Sequence, residues 1–305
     1  MPLATPLHND TTLDIDSLQR LAEHVIGAGV DGLFVLGSTG ETASLSVELR
    51  CSLVREIARF TRSRVPLVVN VSDTAMEHTF QIADEAVRSG AFAVALSPPC
   101  YFPLDQRQLS AYIAHFCHRI SLPVFLYNIP QYAHTPFEPA TVTELARLPN
   151  VIGLKNSDGS LDYLRAVQSG LYPHKEFSLM VGNEETLLEA LRMGADGGVC
   201  GGANVFPRVF VELIKAAAER RETEAERLQQ LVLQISAAVY RVGAPETSYV
   251  RGLKRALKVL GLTGDTVAQP IQNFEASEQA ELDSRFARVR QVIHDAFEIS
   301  HSKSM

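Results

Sequence analysis

Three groups of residues in this chain are of types suited to carbonyl chemistry. Lys155 closes the apolar run Val151-Ile152-Gly153-Leu154 and is the first lysine in the chain. The later ones, Lys175, Lys215, Lys254, Lys258 and Lys303, fall in helix or loop patterns. An amine withdrawn from water at the end of a buried strand favours its neutral form and can condense with a ketone to an imine. The same position suits a lysine that caps a strand and snorkels to solvent, and position alone does not separate the two. Tyr127 closes Val124-Phe125-Leu126 one repeat earlier. A phenol there can shuttle protons as a carbinolamine forms and collapses, or can be a core aromatic bonded to a backbone carbonyl. Gly37-Ser38-Thr39-Gly40-Glu41 follows a third apolar run. Two glycines around two hydroxyl residues offer close backbone approach and free N–H donors, which suit a carboxylate, although an ordinary turn has the same composition. Taken together, an anion cradle, a nucleophilic amine and a proton shuttle are the parts that imine chemistry on a 2-oxo acid requires.

These residues need a frame that gathers strand ends. Eight short apolar runs read as strands: Leu3–Pro6, Gly32–Leu36, Pro66–Val71, Ala91–Leu96, Pro123–Tyr127, Val151–Lys155, Phe177–Val181 and Gly197–Cys200. They show little polar alternation, as strands of a parallel sheet buried on both faces do. Helical patterns separate them, at Asp16–Ala28, Ser46–Phe60, Thr74–Arg88, Asp105–Arg119, Pro139–Arg147, Leu161–Gln168, Glu184–Met193 and Pro207–Arg220. Ser46 reads as the cap of its helix. A repeated junction, Gly29-Val30-Asp31-Gly32, Gly90-Ala91-Phe92-Ala93 and Gly194-Ala195-Asp196-Gly197, joins helix to strand three times. The pattern predicts an α/β chain with a (β/α)₈ TIM barrel, whose catalytic groups stand at the C-terminal strand ends. An open doubly wound sheet would need a Gly-rich turn after the first strand, where Leu7-His8-Asn9-Asp10 stands instead. Residues 1–220 are expected to form the barrel and 221–305 a C-terminal helical extension, with helices at Glu222–Tyr240, Pro245–Leu260 and Ala276–Ile299. His301–Met305 are expected to fray.

The 305 residues are 46% hydrophobic with a net charge of −7, and acidic and basic side chains are interspersed. That excludes a basic nucleic-acid-binding stripe. No apolar run reaches membrane-spanning length, and the N-terminus lacks the pattern of a signal peptide. Cys51, Cys100, Cys117 and Cys200 form no C-x-x-C pair and suggest neither a zinc site nor a disulfide framework. A cytoplasmic enzyme with no metal and no organic cofactor is the expectation.

At these residues the chain resembles the dihydrodipicolinate synthase / N-acetylneuraminate lyase family of class I aldolases. The likeness runs from Thr5-Pro6 to about Leu262. It is carried by Gly37-Ser38-Thr39-Gly40-Glu41, Tyr127-Asn128-Ile129-Pro130, Gly153-Leu154-Lys155-Asn156-Ser157-Asp158-Gly159 and Gly201-Gly202-Ala203-Asn204-Val205. The resemblance implies a homotetramer of barrels and a Schiff base between Lys155 and pyruvate. It implies that Tyr127 is the proton shuttle, that Ser38 and Thr39 bind the keto-acid carboxylate and relay protons, and that Val199 lines the pocket beside the imine.

The departures bear on the second substrate. Synthases of this family carry a Tyr-Tyr pair after the fourth strand, one of which serves the neighbouring subunit's relay. Here the loop reads Ser97-Pro98-Pro99-Cys100-Tyr101-Phe102-Pro103, so Cys100 stands in the tyrosine's place, with Tyr101 as a substitute. Those synthases also place an arginine after Tyr-Asn-x-Pro for a substrate carboxylate, where this chain has Gln131-Tyr132-Ala133-His134. The sialic-acid lyases hold sugar hydroxyls with acidic residues after the seventh strand. Gly182-Asn183-Glu184-Glu185 offers similar chemistry, although both glutamates suit the first turn of a helix as well. The lyases' hydroxyl residue after the eighth strand is replaced by Gly201. The Lys-Asn-Ser-Asp-Gly run resembles the 2-keto-3-deoxy sugar acid aldolases, so pyruvate with an aldehyde or sugar acid is the expected substrate set. Dihydrodipicolinate synthase, a family dehydratase and a non-catalytic keto-acid sensor are the alternatives.

Overall fold

The computed structural model describes residues 1–171 and 176–302. Lys175 and Lys303 lie outside them, as do the last three of the five residues expected to fray. A hairpin, β1 (Leu7–Asn9) and β2 (Thr12–Leu13), precedes α1 (Ile15–Gly27). Then follow β3 (Leu33–Val35), α2 (Val47–Thr61), β4 (Leu67–Asn70), α3 (Met76–Arg88), β5 (Ala93–Leu96), α4 (Gln106–Arg119) and β6 (Val124–Asn128). The chain continues with α5 (Pro130–Ala133), α6 (Pro139–Leu145), β7 (Val151–Asn156), α7 (Leu161–Leu171), β8 (Ser178–Val181), α8 (Leu187–Arg192), β9 (Gly197–Gly198) and α9 (Pro207–Ala218). Strands β3 to β9 form one parallel sheet in sequential order. Helices α10 (Glu222–Val239), α11 (Pro245–Val259) and α12 (Ala276–Ser302) follow, with α10 packed on α9 and α12 on both of the others.

The first expected strand, Leu3–Pro6, is the one that differs. The N-terminal segment does run beside β3: Phe34 N–H donates to Met1 O at 2.8 Å, and Leu3 N–H to Phe34 O at 2.9 Å. It makes only a single bridge there, at Pro2. Pro2 and Pro6 have no N–H to give a ladder. The Asn204 side chain closes the other edge, donating to Pro2 O at 2.7 Å and accepting from Ala4 N–H at 3.0 Å. The sheet thus curls into the predicted (β/α)₈ barrel with a reduced eighth stave.

Local signals explain the helix ends. Asp14 and Ser46 cap α1 and α2 by accepting the N–H of Ser17 and Leu49, and Asp105 forms a reciprocal capping box with Gln108. The repeated glycine junction is a helix stop. Gly29, Gly90 and Gly194 have φ of 91°, 73° and 95°. The next N–H reaches back five residues in each case: Val30 to Val25, Ala91 to Ala86 and Ala195 to Ala190. Only glycine adopts that left-handed turn without strain, so one junction recurs wherever a helix must return to the sheet.

Candidate active site

Alternation along the strands decides which side chains enter the barrel. Leu126 and Leu154 pack outward into the main core, while Phe34, Ala95, Tyr127 and Val199 form a small inner cluster. Tyr127 and Lys155 are register partners on β6 and β7, so both point inward at the C-terminal end. Lys155 is buried. Its Nζ lies 3.9 Å from the Phe34 ring centroid and 4.0 Å from that of Tyr127. Those two rings meet edge to face at 5.6 Å. No carboxylate among the described residues pairs with this amine; aromatic walls hold it instead.

A cavity of about 210 Å³ opens above it. Ser38, Thr39, Tyr127, Lys155, Val199, Gly182 and Glu184 all line it, which brings seven of the residues singled out in the sequence to one place. Ser38 and Thr39 sit in a single 3₁₀ turn, Ser38–Gly40. Gly40 and Glu41 donate back to Gly37 O and Ser38 O, whereas the N–H groups of Ser38 and Thr39 have no acceptor among the described residues. Two free donors beside an amine make a carboxylate seat. Leu36, at φ 60° ahead of this turn, is held by Asn70, whose amide donates to Leu36 O at 2.7 Å. Ser72 donates to Asn70 Oδ1 and accepts from Ser97 N–H, both at 2.8 Å, so three strand ends brace one another.

Cys100 and Tyr101 do not line the cavity of their own chain. Both are exposed, and Tyr101 stacks edge-on against the exposed Phe102. Pro98 and Pro99 cannot extend the β5 ladder, and the loop runs out into solvent. His134 is exposed too and lines nothing here, while Tyr132 reaches the rim.

Sequence reasoning named Asn183 and Glu185 but assigned no role to Ser157, Tyr240 or Tyr249. Ser157, Asn183, Glu185, Tyr240 and Tyr249 line the same cavity. Thr39 Oγ1 and the Tyr249 hydroxyl are 2.8 Å apart. Glu184 is buried and accepts the Gly202 N–H at 2.9 Å. Burial pushes its carboxyl up to about 8, and neighbouring Glu185 adds to the shift. Glu185 accepts from Ser236 of α10, and the Gln229 amide of the same helix donates to the carbonyls of Glu184 and Glu185 at 2.9 and 3.2 Å. Glu41 reaches away from the cavity. It pairs with Lys254 of α11 and accepts the Ala268 N–H at 2.7 Å. Periodicity along one helix gives no hint of such cross-chain contacts.

Among the described residues, no three His, Cys, Asp or Glu side chains converge as metal ligands. No helix is long and apolar enough to cross a membrane.

The barrel is shared with known proteins. The dihydrodipicolinate synthetase family model matches residues 1–288. The chain belongs to that family. Among solved structures, the dihydrodipicolinate synthase of Bacteroides thetaiotaomicron superposes with a TM-score of 0.91 at 42% identity, over 94% of this chain and 96% of that one. YagE of Escherichia coli K12, a prophage protein of the same family solved in complex with pyruvate, gives 0.89 at 29% identity over 95% and 97%. The curated "Probable 2-dehydro-3-deoxy-D-pentonate aldolase YjhH" of Escherichia coli K12 is 31% identical over 281 residues, 92% of each chain. Membership makes this chain a carbon–carbon lyase of the Schiff-base aldolase class.

Proposed function

We propose that this enzyme cleaves and forms the C3–C4 bond of 2-keto-3-deoxy sugar acids, with Lys155 as the imine-forming nucleophile and pyruvate as the keto-acid partner. One observation carries the choice of substrate. Lys155 is the single Lys or Arg among the cavity's lining residues, and apart from Ile129, Gly182 and Val199 the wall is hydroxyl, amide and carboxyl side chains. An aldehyde rich in hydroxyls suits such a wall. A second substrate bearing its own carboxylate would want a second cation there.

In this reading the carboxylate of the keto acid sits on the Ser38 and Thr39 N–H groups, and Val199 packs beside the imine carbon. Lys155 Nζ adds to C2, the ketone oxygen leaves as water, and the resulting iminium draws the electrons of the breaking C3–C4 bond into an enamine. The aldehyde departs as its hydroxyl gives up a proton, and C3 of the enamine gains one. Tyr127, one ring away from the amine, carries these protons. Gly182 and Glu184 bound the space for the aldehyde. With its carboxyl protonated below about pH 8, Glu184 adds no charge to that wall while it accepts from Gly202. The family's homotetramer and a cytoplasmic location belong to the same reading, and light scattering of purified protein tests the assembly.

A synthase joining pyruvate to an amino-acid aldehyde is the second reading, favoured by the 42% identity to the Bacteroides structure of that name. Borohydride reduction with pyruvate, followed by peptide mapping, tests the common core of both. No pyruvate-sized adduct on Lys155 would sink them. Comparing kcat/KM for 2-keto-3-deoxy sugar acids with that for the amino-acid aldehyde separates them, and a higher value for the latter overturns the first.

A further inference from the structure

The hydroxyl that meets Thr39 comes from α11, 210 residues farther along the chain. Tyr249 is half-buried, with its hydroxyl in the cavity wall 2.8 Å from Thr39 Oγ1. Room for that hydroxyl is made by one residue. A Cβ built on Gly201 would overlap the Tyr249 hydroxyl and crowd its ring. Any residue with a side chain at 201 therefore displaces Tyr249, so the two positions are coupled.

Behind Tyr249 lies a set of polar groups from the same chain. Its ring packs on Tyr240 at 4.7 Å between centroids. The Tyr240 hydroxyl and Glu184 Oε1 are both buried. Glu184 Oε2 is pinned by the Gly202 N–H. Burial and the nearby Glu184 hold the Tyr249 hydroxyl well above the ordinary tyrosine range, so it remains a phenol. A threonine hydroxyl has one proton and two lone pairs. If a phenol donates to Thr39, the Thr39 proton is free to turn the other way, toward the cavity shared by Tyr127 and Lys155.

We propose that Tyr249 is a positioning residue of the reaction: it donates to Thr39, aims the Thr39 proton at the departing oxygen, and owes its place to Gly201. This rests on the reading of Lys155 as the imine-forming amine. Imine formation moves protons from the amine and its surroundings onto the former ketone oxygen, which leaves as water. Tyr249 keeps its own proton throughout. Its effect is to hold one acceptor lone pair of Thr39, so that the Thr39 O–H is oriented before the ketone arrives. Within its own chain the hydroxyl that meets Thr39 is thus that of Tyr249 on α11.

The test is the time course of borohydride-trapped pyruvate adduct in wild type, Tyr249→Phe, Gly201→Ala and the double variant. Tyr249→Phe keeps the ring and removes only the oxygen. We expect it to slow adduct formation by about 10- to 100-fold, at the low end of general acid–base effects, with the pyruvate KM within about twofold. Gly201→Ala should slow it similarly, and the double variant should be no slower than the slower single, because both remove one hydrogen bond. A merely structural role would lower the thermal midpoint and raise KM without this rate loss, and that result overturns the proposal. So does adduct formation at the wild-type rate in Tyr249→Phe. Should that variant fail to fold, a wild-type rate in Gly201→Ala overturns it equally. If wild type itself forms no adduct on Lys155, the functional reading fails first. If wild type does and the variants match it, only the role of Tyr249 falls.

Discussion

Replacing Lys254 by methionine should destabilise the fold from outside the cavity. The Glu41 side chain is fully buried and that of Lys254 nearly so, and they pair directly. Burial pulls the Lys254 ammonium below its ordinary range while Glu41 holds it up. Lys254 also donates to Thr266 O at 2.6 Å, and Glu41 accepts from Ala268 N–H. Methionine fills the same volume but leaves the Glu41 carboxylate without a counter-ion. Removing one member of a buried pair costs about 3–5 kcal/mol. At roughly 2–4 °C per kcal/mol, the thermal midpoint should fall on the order of 10 °C. Glu41→Gln with Lys254→Met should recover part of this, because the amide still accepts from Ala268 and no charge is stranded. The chain has no tryptophan, so far-ultraviolet circular dichroism in urea is the assay. Glu41, at φ 57°, terminates the turn that carries Ser38 and Thr39. The pyruvate KM should therefore rise in Lys254→Met. A loss under about 1 kcal/mol, or a double variant worse than the single, would refute the pair as the anchor of that turn.

Lys155→Ala should abolish both turnover and borohydride trapping while the far-ultraviolet spectrum is kept; residual trapping would move the nucleophile elsewhere. Gly182→Ala would drive a methyl into Ser157 Oγ and should lower kcat/KM, and Gly182→Ala with Ser157→Gly should restore most of it. A double variant as poor as the single would show that contact not to be the cause. Glu184 predicts a pH effect on stability. Its folded value of about 8 lies above the ordinary 4.5, so the native state holds a proton that the unfolded chain has lost. Stability from this group is therefore full below about pH 4.5 and declines as pH rises toward 8, by up to about 1.4 kcal/mol per pH unit. Glu184→Gln should flatten the decline in thermal midpoint between pH 5 and 8, and an unchanged slope would exclude Glu184 as its source.

Much of the barrel was legible because its signals are local. A helix stop needs a left-handed residue, so glycine recurs at positions 29, 90 and 194. A strand buried on both faces reads as an unbroken apolar run, and its last residue is where an exposed group can begin. Lys155 and Tyr127 were visible on those grounds, and strand alternation with a matched register brings them together. Leu3–Pro6 was misread as a full strand because its apolar residues match the pattern while its prolines withhold the donors a ladder needs.

The rest of the site is assembled across more than 200 residues of chain. Tyr249 and Lys254 lie on a helix whose spacing reads only as amphipathic, and one meets Thr39 while the other meets Glu41. Local periodicity reports which face of a helix is buried, not what that face is buried against. By itself, then, the sequence determined the strand that ends in Lys155, the fold that carries it and the turn beside it, since each depends on neighbours a few residues away. Only the tertiary structure decided that Gly201 makes space for Tyr249, that α11 closes the back of the site, and that Cys100 and Tyr101 do not line the cavity of their own chain. Those outcomes depend on packing between distant elements, which no short pattern encodes.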